Sequence, residues 1–198
     1  MKKMLMFVVM ALGVAVLFSG CGKIPQAEIE GVYAALDSAK MAGADVYLAE
    51  DFAALQDSMQ RIMEDVEAQK SKFLASYGVI KEQLARMREL AVASVPRTEA
   101  RKEEIRQEVS VILEEIAGYQ SQSNELVQKA PRGKEGKTAL EAIKGDISLI
   151  DTSVVEINSL LADEELISAR DKAKAVREKA FTINAELNEV IAKYTGSR

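Results

Sequence analysis

The chain has 198 residues, 48% of them hydrophobic and 29% charged, with one Cys and no His or Trp. Without His, a Ser-His-Asp or Cys-His catalytic group and His-ligated zinc or haem are excluded; a single Cys excludes an intramolecular disulfide and any multi-Cys metal site. A net charge of −5 with only 5% aromatic residues argues against nucleic acid as a partner.

The N-terminus carries its own signal. Lys2 and Lys3 precede an uncharged run from Leu5 to Phe18, which leads into Ser19-Gly20-Cys21. A permanent span of a ~30 Å hydrocarbon core needs roughly 20 apolar residues. This shorter run behind two lysines, ending in small residues, reads as a secretory signal peptide. Ser19-Gly20-Cys21 resembles the lipobox of bacterial lipoproteins, with Phe18 where that family usually has Leu. The resemblance implies diacylglyceryl transfer to the Cys21 thiol, cleavage between Gly20 and Cys21, and acylation of the new amino terminus by a palmitate-type chain. Two or more acyl chains hold a protein stably on a bilayer. Gly22, rather than Asp, follows the cysteine. In a host with two membranes the lipoprotein sorting pattern then implies the outer membrane, facing the periplasm. The expected organisation is a signal peptide at 1–20, a lipidated Cys and short tether at 21–26, and a helical domain at 27–198. Loss of residues 1–20 leaves 24 basic against 31 acidic residues.

Beyond the tether, apolar residues recur at alternating spacings of three and four, the mark of helices with one buried stripe. A first helix over 26–42 closes at Gly43. A second carries Phe52, Leu55, Met59, Ile62, Val66, Phe73, Tyr77, Ile80, Leu84, Met87 and Ala91, with Gly78 the expected bend. Pro96 is expected to end or open a helix, because it lacks a donor and clashes with the preceding turn. The third stripe is Ile105, Val109, Ile112, Ile116, Tyr119, Ser123, Leu126 and Ala130. Pro131, Gly133 and Gly136 form the clearest loop, and Thr138 with Glu141 has capping-box spacing. The fourth stripe runs from Leu140 through Ile147, Ile150 and Ile157 to Leu161. The fifth runs from Leu166 through Ala173, Val176 and Ile183 to Tyr194. Asp163 is the candidate N-cap between them; without a break there, 138–195 reads as one helix. The fold class is all-α: an elongated antiparallel bundle of about five helices with coiled-coil-like packing. An ungapped offset of 114 pairs Leu36-Asp37-Ser38 with Ile150-Asp151-Thr152 and Glu50-Asp51-Phe52 with Glu164-Glu165-Leu166, as a duplicated hairpin would.

The first hairpin carries Ala42-Gly43-Ala44-Asp45, Tyr47 and Glu50-Asp51-Phe52. It resembles a family of uncharacterised envelope lipoproteins with an alanine-rich helical hairpin; Leu48-Ala49 stands where that family often has Ala-Pro. The resemblance implies a cell-envelope protein and no catalytic residues.

The carboxylate pairs Glu103/Glu104, Glu114/Glu115 and Glu164/Glu165 fall on polar faces, where solvation outweighs acid–base or cation-binding roles, and no EF-hand spacing surrounds Asp163. Ser and Thr lack a His partner, and no Ser-x-x-Lys lies in a turn suited to a dyad. Two basic clusters remain. Arg86, Arg88, Arg97, Arg101, Lys102 and Arg106 surround Pro96 but are diluted by Glu89, Glu99, Glu103 and Glu104. Lys129, Arg132, Lys134 and Lys137 surround Pro131 and form the cleaner candidate interaction loop. Tyr33 and Tyr47 flank the first turn as a possible exposed patch. The expectation is a non-enzymatic, membrane-anchored scaffold or adaptor that needs no cofactor beyond its covalent lipid. Its partner is another envelope protein or a second copy. The alternative is a module that binds lipid or another hydrophobic ligand between its helices.

Overall fold

The computed structural model describes residues 22–130 and 134–195. Among these the fold is all-α, with antiparallel packing and no strand. The helices are α1 (Gln26–Met41), α2 (Ala44–Tyr47), α3 (Ala49–Lys70), α4 (Gly78–Lys129), α5 (Lys134–Ala162) and α6 (Leu166–Thr195). The chain divides into two compact units, residues 1–101 and 102–198, and α4 contributes residues to both.

In the first unit Pro25 stands at the N-cap of α1, where its missing N–H costs nothing. Glu28 and Lys40 complement the two ends of the helix dipole. Gly43, at φ 92°, ends the helix in the left-handed conformation that glycine adopts without a Cβ penalty. Its N–H donates to the Lys40 carbonyl at 2.8 Å. The short α2 and Leu48 then turn the chain into α3, whose first turn holds Glu50 and Asp51. Ile29, Val32 and Leu36 of α1 share one core with Phe52, Met59, Ile62 and Val66 of α3 and Ile80, Leu84 and Met87 of α4. Glu28 pairs with Lys81 at 3.0 Å, and Gly31 faces the Arg88 stem, so α1 and α4 run parallel. Asp51 pairs with Arg97 while the α3 stretch Leu55–Asp65 faces Gln83–Leu90, so α3 runs antiparallel to α4.

The second unit repeats this up-down-up order. The α6 core positions Leu166, Ala169, Ala173, Val176, Ala180, Ile183 and Leu187 alternate strictly by three and four, the seam of a coiled coil. Ile105, Val109, Ile112 and Ile116 of α4 and Ile147, Ile150 and Ile157 of α5 are buried in the same unit. Charged flanks fix the directions. Glu108–Lys174 (2.7 Å) and Glu115–Arg177 (3.3 Å) rise together along α4 and α6. Asp146–Lys179 (2.8 Å) and Glu156–Lys172 run oppositely along α5 and α6. Asn184 donates to Ser123 Oγ at 3.4 Å and accepts from Asn188 at 3.1 Å, a buried polar group inside an otherwise apolar seam.

Several expectations are corrected. Helix does not stop at Pro96; it runs through it within α4. Pro96 lies on the exposed face, where the Val92 carbonyl deprived of its usual N–H donor reaches water. On the opposite, buried face Ser94 Oγ donates to the Ala91 carbonyl (2.7 Å) and Thr98 Oγ1 to the Ser94 carbonyl (2.8 Å). The break falls instead at residues 71–77. There Ser71 Oγ returns to the Ala68 carbonyl at 2.9 Å, and Gly78 opens α4 rather than bending a helix. Phe73, assigned to the core stripe, is 98% exposed. Thr138 lies inside α5 rather than at its cap, and Gly136 is helical.

The break before α6 is real, but Asp163 is not its N-cap. Glu165 N–H donates to the Leu160 carbonyl (2.9 Å) and Glu164 N–H to the Leu161 carbonyl (3.3 Å), with Glu164 at φ 61°. This Schellman motif makes Asp163 the C-cap of α5. Glu165 caps α6 instead, its carbonyl accepting from Ala169 N–H at 2.9 Å. The left-handed residues of the two units, Gly43 and Glu164, do not match at an offset of 114: that register places Glu50, inside α3, on Glu164.

Candidate functional site

Three places in the described residues join apolar surface to polar groups. The first is a groove of about 350 Å³ between α3 and α4, lined by Leu55, Ile62, Met87 and Leu90 with Arg61, Asp65, Gln83 and Arg86 at its polar edge. The packing leaves room here because the core residues Ile62 and Met87 meet below, while Leu90 stays 58% exposed. Gln83 Oε1 is buried and has no hydrogen-bond partner. A buried carbonyl oxygen left unpaired costs about 1–3 kcal/mol.

The second is a shallow depression of about 530 Å³ on the outer face of α4, formed by Ala85, Arg88, Glu89, Val92, Ala93 and Pro96. Small side chains at 85 and 93 and the exposed Val92 give α4 a second apolar strip, away from its core stripe. Close approach of another helix needs small residues and a flat apolar seat, and both are present.

The third is the end of the first unit where residues 22–25 enter. The described part of the expected short tether is packed: Pro25 is fully buried, and Gly22 lies against the Tyr77 ring and the Ala75 carbonyl. Beside it the residues 71–76 expose Phe73 and Leu74.

The basic clusters fare differently. Around Pro96, Arg97 pairs with Asp51, and Arg106 donates from Nη2 to both carboxylate oxygens of Glu164, at 2.8 and 2.9 Å. The Glu164 hydrogen bond raises the Arg106 pKa further. Arg88 and Arg86 edge the two depressions. This cluster therefore ties helices together rather than forming one open patch. Around Pro131, Lys129 pairs with Glu125 at 3.7 Å. Arg132 lies outside the described residues. Lys134 and Lys137 fall in the first turns of α5 rather than in a loop. Gly20 and Cys21, the expected cleavage and lipidation residues, also lie outside the described residues.

Among the carboxylate pairs, Glu103 meets Arg106 (3.5 Å) and Gln107 (3.1 Å), and Glu115 meets Arg177. Among the described residues no group of three or more His, Cys, Asp or Glu side chains is placed to hold a metal ion, and no helix is long and apolar enough to cross a membrane. Tyr77 is a core residue as expected; Tyr119 packs edge-on against Phe181 with ring centroids 5.7 Å apart. Tyr33 is exposed and Tyr47 half-buried.

The groove and the α4 strip were missed from sequence because both arise where the apolar pattern exceeds a single stripe. Leu90 and Val92 were the available signal, lying outside the heptad positions 84, 87 and 91. Searches of family models, curated proteins and solved structures match nothing to this chain.

Proposed function

We propose that this protein is a lipid-anchored cell-envelope lipoprotein acting as a non-enzymatic helical scaffold for another envelope protein. The lipobox-like Ser19-Gly20-Cys21 behind a charged, apolar leader supports export and anchoring, with outer-membrane placement following from Gly22. The observation that carries the scaffold role is the exposed strip on α4, where Ala85, Val92, Ala93 and Pro96 seat a partner helix. Arg88 and Glu89 edge this strip and supply charges of both signs for register. The basic residues Lys129, Arg132, Lys134 and Lys137 supply a further surface for anionic envelope groups.

The test is site-specific photocrosslinking in the native envelope from position 92, with Ser148 on α5 as control. A discrete adduct from position 92 alone supports the scaffold; equal or no capture from both contradicts it.

A second reading has its own observation. The α3–α4 groove, lined by Leu55, Ile62, Met87 and Leu90 with Gln83 at its polar edge, suits a lipid or other hydrophobic ligand. Mass spectrometry of the purified protein would then find a copurifying ligand that Gln83→Leu reduces.

A further inference from the structure

We propose that residues 71–76 form a bilayer-inserting loop, with Phe73 and Leu74 entering the acyl region of an anionic phospholipid membrane. The proposal rests on the lipid-anchor reading of Cys21. Phe73 is 98% and Leu74 76% exposed, and Val79 (68%) at the start of α4 and Ile24 (39%) in residues 22–25 are exposed as well. Two adjacent, almost fully exposed large apolar residues are costly in water, and burying each in lipid is favourable by the same area term that builds a core.

Position fits this occupant. Gly22, the residue after Cys21, lies against the Tyr77 ring and the Ala75 carbonyl. The chain that would carry the lipid therefore enters beside the loop. Pro25 is buried, which holds that entry point against the helical body. Charge fits as well. In a chain with net charge −5, neither 22–25 nor 70–79 contains an acidic residue, while Lys23, Lys70 and Lys72 all lie there. Lys23 and Lys72 are exposed, and Lys70 is tied to Glu67 at 2.6 Å. Basic residues around an apolar tip match the negative surface of an anionic leaflet. The ordering of residues 22–25 against the loop makes the acyl chains and the apolar tip neighbours. The acyl chains supply the stable attachment, and the apolar tip adds a second contact with the same leaflet.

The chain contains no Trp, so Phe73→Trp introduces a single tryptophan, excited selectively over the five Tyr, at an exposed site. Full-length lipoprotein carrying Phe73→Trp is reconstituted in phosphatidylethanolamine–phosphatidylglycerol vesicles with and without brominated acyl chains. Val155→Trp, 69% exposed on α5, is the control. Vesicle flotation and the mass of Cys21 are measured on the same samples. Blue-shifted, bromine-quenched emission from position 73 but not 155 is the expected result. A lipidated Cys21 with position 73 as water-exposed as the control overturns the loop proposal and leaves the anchor intact. Quenching at position 73 with unmodified Cys21 supports the loop contact and overturns the anchor reading. A blue shift that grows with protein concentration without vesicles identifies a second copy as the occupant and overturns the proposal.

Discussion

Pro96→Ala tests the continuity of α4 at the point where sequence rules place a break. On host–guest scales Pro is about 3 kcal/mol worse than Ala inside a helix. That is an upper figure here, because Pro96 is exposed and the Val92 carbonyl it leaves without an N–H donor faces water. The substitution restores one backbone hydrogen bond, from residue 96 N–H to the Val92 carbonyl, worth about 0.5–1.5 kcal/mol. Relief of the ring's clash with the preceding turn adds to it. The expected gain is about 1–3 kcal/mol. With an m-value of about 2 kcal/mol/M, the urea midpoint rises by about 0.5–1.5 M at unchanged m. The assay is urea unfolding followed by far-UV circular dichroism. An unchanged or lowered midpoint, or a loss of helical signal, would refute a continuous helix through position 96 and restore the break there.

Gly43→Ala is expected to destabilise by about 1–2 kcal/mol, since residue 43 holds φ 92°. Gly118→Ala, in open space within α4, is expected to stabilise by about 0.5–1 kcal/mol; chemical denaturation reads both. The hydrogen bond from Lys81 holds the Glu28 carboxyl below its ordinary value of 4.5. Its contribution is therefore present above the unfolded value and lost as pH falls through the lowered one. The stability difference between wild type and Glu28→Gln should accordingly appear at neutral pH and vanish in acid. A difference that persists or grows as pH falls would contradict this.

The all-α class and the core stripes of α3 to α6 were legible, because a three-four alternation of apolar residues has one physical reading on a helix; the α1 core residues Ile29, Val32 and Leu36 were not named. The α6 stripe follows the expected Leu166, Ala173, Val176 and Ile183, all buried. Gly43 was legible too, since only a left-handed turn explains glycine there. Four boundaries were not, the start of α5 ahead of Thr138 among them. Pro96 misled because the rule counts the lost donor but not the side of the helix on which the orphan carbonyl falls. The segment around Phe73 misled because Phe73 and Tyr77 keep helical spacing across a break that no Pro or Gly introduces. Only Tyr77 faces inward, and Ser71 closes α3 through its own hydroxyl. Asp163 misled because a Glu, not a Gly, takes the left-handed position. That costs about 1–2 kcal/mol, partly offset by the charge-assisted hydrogen bonds that Glu164 accepts from Arg106. Of the candidate sites, the α3–α4 groove and the α4 strip were invisible to stripe counting, since each needs residues outside the seam. The entry of Gly22 beside residues 71–76 depends on packing between segments 50 residues apart, which no local pattern encodes.

The lipid on Cys21 is the claim on which the functional account turns. Intact mass spectrometry of the protein extracted from its native membrane, wild type beside Cys21→Ser, tests it directly. The account expects a wild-type chain beginning at Cys21 and carrying diacylglyceryl and N-acyl groups, both absent from Cys21→Ser. A wild-type chain that keeps residues 1–20, or one that begins at Cys21 without lipid, would contradict it.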